Sequence, residues 1–267
     1  MMDSVICDVR STMIYVVRGE EAIFYAGNRE KSHWPQEPHE VTVHDVRPFI
    51  HDLDMEKNGF VVVDEPSGIE DYTEEDQLAR YCADTESLVQ RLTGASKVVS
   101  FGPVVRTNAA GTGGHNQPAF GAHVDYGAVT VGDYTRDLMP AEEAEKRLKK
   151  RHMLINVWRP IVMVESAPFA VADASTVKRE DLFQSEVRGG LGGIKRSLWG
   201  FNLAYKPDHK WYWVPHMQPW EALVFKLFDS QDDAVQFTAH SAFEDPNVSP
   251  DAAPRQSIEV RTIAYFD

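Results

Sequence analysis

Gly121-Ala122-His123-Val124-Asp125 sets an imidazole and a carboxylate two positions apart. Alternate side chains of a strand leave from one face, so His123 and Asp125 are expected to project together as one nitrogen and one oxygen ligand. A third donor must come from a distant strand, and His240, at the end of an apolar run, is best placed to supply it. Two histidines and one carboxylate leave the other positions of an octahedral ion open, which suits non-haem Fe(II) oxygen chemistry. Taken alone, the same spacing also describes a surface or capping pair.

Pro254-Arg255-Gln256-Ser257 begins the last expected strand, and period two puts Arg255 and Ser257 on one face. An Arg fork beside a hydroxyl holds a small carboxylate bidentately inside a barrel. The plain alternative pairs Arg255 with Glu259 on the same face. Arg261 shares that face too, so spacing leaves open which guanidinium meets a carboxylate. Of the remaining histidines, His115 is notable because its loop leads into His123. Gly111, Gly113 and Gly114 are not followed by Lys-Ser/Thr, which argues against a phosphate cradle. They are expected to let the segment 108–121 close over the site and exclude water. Cys7 and Cys82 belong to no CxxC pair, and Cys82, on an apolar helix face, reads as inert core.

The elements that must position these residues read as mostly β. Short β-branched or aromatic runs bounded by turn residues predict strands at 13–17, 22–25, 59–63, 97–106, 128–131, 153–158, 198–205, 211–214, 222–228, 234–240 and 257–266. One amphipathic helix is predicted over 74–92, capped by Thr73 and stopped by Gly94, to cover a sheet. A second opens at Pro140 and runs through 142–151, acidic early and basic late. Many short strands with few helices predict a mostly β fold with flanking helices around a double-stranded β-helix, or jelly-roll, core.

The 267 residues, 43% hydrophobic, suffice for a core without disulfides or structural metal. One domain over 1–267 is expected, with 1–96 packing on a core formed by 97–267. The net charge of −14 repels phosphate backbones and anionic lipid, so neither nucleic acid nor a membrane surface is an expected partner. With no secretory h-region and no span-length apolar stretch, the expected location is the cytoplasm. The aromatic segment 211–220 suggests an apolar surface for a mid-sized organic molecule.

With His123-x-Asp125, His240 and Arg255-x-Ser257 in this order, the sequence resembles the Fe(II)/2-oxoglutarate-dependent oxygenases. More narrowly it is similar to the group containing gibberellin GA4 desaturase, the fungal AsaB-type hydroxylase/desaturases and the cephamycin methoxylation protein. The narrower likeness rests on Val43-His44-Asp45-Val46-Arg47, Gly59-Phe60, Leu92-Thr93-Gly94-Ala95 and Asn156-Val157-Trp158-Arg159-Pro160. Ala172-Asp173-Ala174-Ser175 and the run from Pro254 to Arg261 complete it.

The resemblance implies that His123, Asp125 and His240 are the iron ligands and catalytic centre. It implies that Arg255 with Ser257 binds 2-oxoglutarate, with Arg261 as rival, and that Asn156, Trp158 and Arg159 lie on a strand near the pocket. Arg106 reads either as a surface ion pair or as a hold on an acidic substrate. Implied with them are Fe(II) and 2-oxoglutarate as cofactors, ascorbate as an in vitro reductant, and O2 and a small specialised metabolite as partners. The expected reaction hydroxylates or desaturates an unactivated C–H bond and releases succinate and CO2, in a monomer or homodimer. The competing readings are a metal-dependent dioxygenase that uses no 2-oxoglutarate and a non-catalytic jelly-roll binding protein.

Overall fold

A computed structural model of the chain describes residues 7–25, 28–112, 116–188 and 198–267. Gly113, Gly114 and His115, on which the expected closing loop depends, lie outside the described residues. The strands are β1 (Val9–Val16), β2 (Ala22–Tyr25), β3 (Gln36–Asp45), β4 (Phe60–Asp64), β5 (Lys97–Thr107), β6 (His123–Val124) and β7 (His152–Pro160). They continue with β8 (Phe169–Ala172), β9 (Leu182–Arg188), β10 (Leu198–Leu203), β11 (Trp211–Trp213), β12 (Glu221–Asp229), β13 (His240–Ala242) and β14 (Gln256–Tyr265). Among the described residues three α-helices accompany them: α1 (Glu75–Thr93), α2 (Ala128–Leu138) and α3 (Ala141–Leu148).

Two sheets form the predicted jelly-roll core. The larger runs β1-β3-β11-β8-β13-β6-β10-β9-β2 and the smaller β4-β12-β7-β14-β5. Nearly every residue of β7, β12 and β14 is buried, as happens when a sheet is covered on both faces. Period two divides the β7 side chains. Leu154 and Trp158 enter the core between the sheets, while Met153, Ile155 and Val157 meet Leu88 and Val89 of α1 on the outer face. Burying Leu88 and Val89 contributes about 1.5–3 kcal/mol each, and left-handed Gly94 (φ 70°) ends the helix.

Several expected elements are corrected. Thr73 does not cap α1: its hydroxyl bonds Asp71 at 2.6 Å, and Glu74 precedes the helix with no side-chain cap. The predicted strand 128–131 is the first turn of α2. Its β-branched composition masks a helical stripe of Thr130, Val131, Tyr134 and Thr135, all buried, and tertiary packing overrides propensity. The predicted strand 234–240 contributes only His240, because Phe237 is left-handed (φ 63°) and breaks any extended run before it. α3 stops at Leu148, short of Arg151, which leaves to pair with Asp229 at 2.7 Å. Strands β3, β8 and β9 were not expected. In β3 a polar alternation and Pro38, opposite Ile14 in the ladder, hide the pattern.

Candidate metal and cosubstrate site

The ladder itself brings the two histidines together. His240 of β13 pairs directly with His123 of β6, and residues opposite each other in an antiparallel pair share a face. Their rings lie 4.3 Å apart. β6 ends at Val124, so Asp125 stands just beyond the strand, where left-handed Tyr126 (φ 61°) turns the chain. Asp125 Oδ1 lies 3.5 Å from His123 Nε2 and Oδ2 lies 3.9 Å from His240 Nε2. One ligand atom from each of the three falls within 4.8 Å of the others.

Hydrogen bonds fix which nitrogens face this point. His123 Nδ1 donates to the Gly121 carbonyl at 2.6 Å and His240 Nδ1 donates to the Thr238 carbonyl at 3.1 Å. A carbonyl only accepts, so both Nδ1 atoms carry protons and both Nε2 atoms point inward. Burial and the neighbouring His123 push His240 down to about 3. Burial pulls His123 down as well, but its contact with Asp125 outweighs this and leaves it above the ordinary value. Burial raises the Asp125 carboxyl, whereas Arg261 and the two histidines hold it well below the usual range. Two nitrogens and one carboxylate oxygen with second partners in place are a donor set that fits Fe(II).

Arg261 reaches across from the smaller sheet to Asp125. Its Nε and Nη2 donate to the same Oδ2 at 3.1 and 2.8 Å, leaving Oδ1 on the His123 side. Nη2 also bonds Glu259 at 2.6 Å, and Glu259 in turn accepts from Arg106 at 2.8 Å. Burial raises the Glu259 carboxyl, but the two guanidiniums win and bring it to about 2. Glu259 therefore pairs with Arg106 and Arg261, and the alternative pairing with Arg255 is absent.

Arg255 is 1% exposed, yet no carboxylate lies in ion-pair reach among the described residues. Its Nη1 donates to the Ala167 carbonyl at 2.7 Å, its guanidinium lies over the Trp158 ring, and its Nε has no partner. Burial and the repulsion of Arg106 push this guanidinium down to about 9. Ser257 Oγ, equally buried, also lacks a partner, as do both amide atoms of Asn156. Buried donors are nearly always satisfied, and the described residues supply no acceptor for these. Trp158 stacks on Phe169 at 4.9 Å and 9°, and Phe169 lies 5.6 Å from the His240 ring.

Other expectations fall elsewhere. Arg159 faces outward, donating to the Tyr81 hydroxyl at 3.3 Å and the Pro219 carbonyl at 3.0 Å. Arg106 faces Glu259 and the Gln117 carbonyl rather than an open surface. Within the aromatic segment 211–220, Trp211 is fully buried with its indole bonded to Tyr15, and Tyr212, Trp213 and Met217 line a small apolar pocket together with Phe169, whereas Trp220 is exposed. Sequence reasoning did not place Glu259, Phe169, Tyr126 and Asn202 beside the cluster, as the structure does. Glu259 carried a readable signal, two positions from both Ser257 and Arg261. Phe169 and Asn202 carried none, because only strand pairing places them at the site.

This geometry agrees with the likeness to known proteins. Residues 13–265 match the model of the oxidoreductase/YMDC permease-like domain family. The chain is 34% identical over 235 residues to the Fe(II)/2-oxoglutarate-dependent dioxygenase nvfI of Aspergillus novofumigatus, covering 85% of this chain and 84% of that one. It is 29% identical over 252 residues to the hydroxylase/desaturase efuI of Hormonema carpetanum, covering 85% and 83%. The solved structure of the iron and alpha-ketoglutarate-dependent endoperoxidase NvfI superposes with a TM-score of 0.86 at 29% identity over 97% of this chain and 98% of that one. The double-stranded β-helix, its His-Asp-His cluster and these matches together make the chain a member of the Fe(II)/2-oxoglutarate-dependent dioxygenases.

Proposed function

We propose that His123, Asp125 and His240 hold the Fe(II) of this dioxygenase, and that Arg255 with Ser257 holds the distal carboxylate of 2-oxoglutarate. Arg261, already doubly bonded to Asp125 and Glu259, orients the carboxylate ligand. Asn156 and Trp158 line the cosubstrate cradle between the sheets. The observation that carries this reading is the unpaired, buried Arg255–Ser257–Asn156 group beside a complete His-Asp-His cluster.

With iron and 2-oxoglutarate bound, the enzyme couples decarboxylation of the keto acid to succinate with O2-dependent oxidation of a C–H bond in a small specialised metabolite. The chain's own contribution is placement. The two Nδ1–H bonds fix the imidazoles, Arg261 leaves Asp125 with one oxygen free to bind, and the Trp158–Phe169 stack walls the site from water on the inner side. Substrate oxidation as hydroxylation or desaturation follows the hydroxylase/desaturase relatives, whereas the relative of solved structure is an endoperoxidase.

The chain is further proposed to act as one domain, as a monomer or homodimer, in the cytoplasm. No described helix is long and apolar enough to cross a membrane. Anaerobic titration with Fe(II), with and without 2-oxoglutarate, tests the reading through the visible charge-transfer band that a keto acid gives on iron. A band that appears only when both are present supports it; iron binding with no band on adding 2-oxoglutarate overturns it.

A further inference from the structure

Among the buried side-chain donors that the described residues leave unpaired, two groups lie on the facing sheets. Asn156 Nδ2 and Ser257 Oγ belong to β7 and β14 of the smaller sheet, and Arg255 Nε to the residue just before β14. Asn202 Nδ2 stands apart, in β10 of the larger sheet. In the ladder Asn202 lies directly opposite His123, so their side chains share a face. Asn202 is 6% exposed, and an amide donor this buried is costly to leave unmade.

Strand order separates the two groups. Across the larger sheet β8, β13, β6 and β10 carry Val171, His240, His123 and Asn202 as successive ladder partners. Arg255 is tied to the β8 side through the Ala167 carbonyl, so Asn202 stands on the opposite flank of the metal cluster. Strands are spaced about 4.8 Å apart, which puts Asn202 one strand beyond His123 and two beyond His240. A dicarboxylate whose distal end sits at Arg255 must present its keto-acid end at the cluster, toward this flank.

We propose that Asn202 donates a hydrogen bond to the keto-acid carboxylate of 2-oxoglutarate, the end opposite the one held by Arg255 and Ser257. The enzyme thus recognises its cosubstrate at both ends. Asn202 is a binding and positioning residue: it sets how the 1-carboxylate lies against the metal. The inference rests on the assignment of His123 and Arg255 made above.

The test compares two keto acids under anaerobic conditions with Fe(II) present. 2-Oxoglutarate has both carboxylates; 2-oxobutanoate keeps the keto acid and lacks the distal one. Dissociation constants come from calorimetry and from the charge-transfer band, with iron stoichiometry and thermal midpoint recorded as controls. Asn202→Leu, which keeps the volume and removes the donor, should weaken both keto acids by the same factor, about 10-fold, and shift the band while iron stays stoichiometric. Arg255→Ala should weaken 2-oxoglutarate alone.

If Asn202→Leu folds poorly, Asn202→Asp keeps the shape and places a negative charge against the carboxylate, and it should weaken both keto acids more strongly than Leu. Unchanged constants and an unshifted band in the Asn202 variants overturn the inference. So does a loss confined to 2-oxoglutarate, which would move Asn202 to the distal end. Failure of the underlying reading looks different, since the wild-type protein would then give no band with either keto acid.

Discussion

Arg255, just before β14, and Arg261, within it, approach the same interior and are 1% and 5% exposed, yet their surroundings are opposite. Arg261 is the centre of a closed network in which Asp125 and Glu259 compensate its charge and Glu259 is shared with Arg106. Arg255 has a backbone carbonyl, an aromatic ring and no carboxylate. A buried charge without a partner costs several kcal/mol, and that cost persists where a ligand offsets it. The difference teaches how to sort charged residues at such a site: paired charge positions what is already there, and unpaired charge is reserved for what must arrive. Of the left-handed non-glycine residues described, Ala167 holds Arg255 through its carbonyl, Tyr126 follows Asp125 and Phe237 lies three residues before His240, while His216 is the fourth (φ 45°, 61°, 63° and 46°).

The severest challenge to the paired side is loss of a cluster member. Asp125→Ala should abolish stoichiometric iron binding and turnover, exceeding the roughly 10–100-fold that an outer partner contributes, while circular dichroism shows the fold intact. Full activity in this variant would leave the network with nothing to position. Arg261→Ala should come next, lowering iron affinity by about 10–100-fold as measured by competition with a chelator. Arg261→Lys should recover only part of that, because one ammonium cannot bond Asp125 and Glu259 in the fork geometry.

Glu259→Gln should act on stability through pH. Its folded carboxyl titrates at about 2, below the ordinary value of about 4.3, so the native state favours the ionised form. The stabilisation is therefore fully present above about pH 4.3 and fades as pH falls toward 2. Denaturant unfolding should show wild type ahead of Glu259→Gln by about 1–3 kcal/mol at neutral pH, with the gap closing in acid. A gap independent of pH would detach Glu259 from the network. The smallest effect is expected on the unpaired side, where Ser257→Ala removes one hydroxyl and should weaken 2-oxoglutarate by about 3–10-fold without changing iron affinity.

The motifs proposed to hold iron and 2-oxoglutarate were legible because their chemistry is local. His123-x-Asp125 and Arg255-x-Ser257 each sit within three residues, and α1 announced itself by its period and its Gly94 stop. What the sequence concealed was decided by tertiary pairing. Val129 and Val131 read as strand until the Thr130–Tyr134 face found a core to pack against. The β13 strand is three residues long, so His240 is placed by its ladder partners His123 and Val171 rather than by any extended pattern of its own. Arg255 and Arg261 were indistinguishable by period, because both fall on one face. Only Asp125, arriving from the other sheet, separates them.

The central claim is that division of labour, and anaerobic 2-oxoglutarate titration of the Fe(II)-loaded Arg255→Ala and Arg261→Ala proteins tests it most directly. The account predicts that Arg255→Ala keeps its iron and loses about 2–5 kcal/mol of 2-oxoglutarate binding, the range for deleting one member of a buried charge pair. Arg261→Ala, once enough Fe(II) is supplied to fill the site, should bind 2-oxoglutarate close to the wild-type affinity. A collapse of 2-oxoglutarate binding in Arg261→Ala with near-normal binding in Arg255→Ala would contradict the account and move the clamp to Arg261.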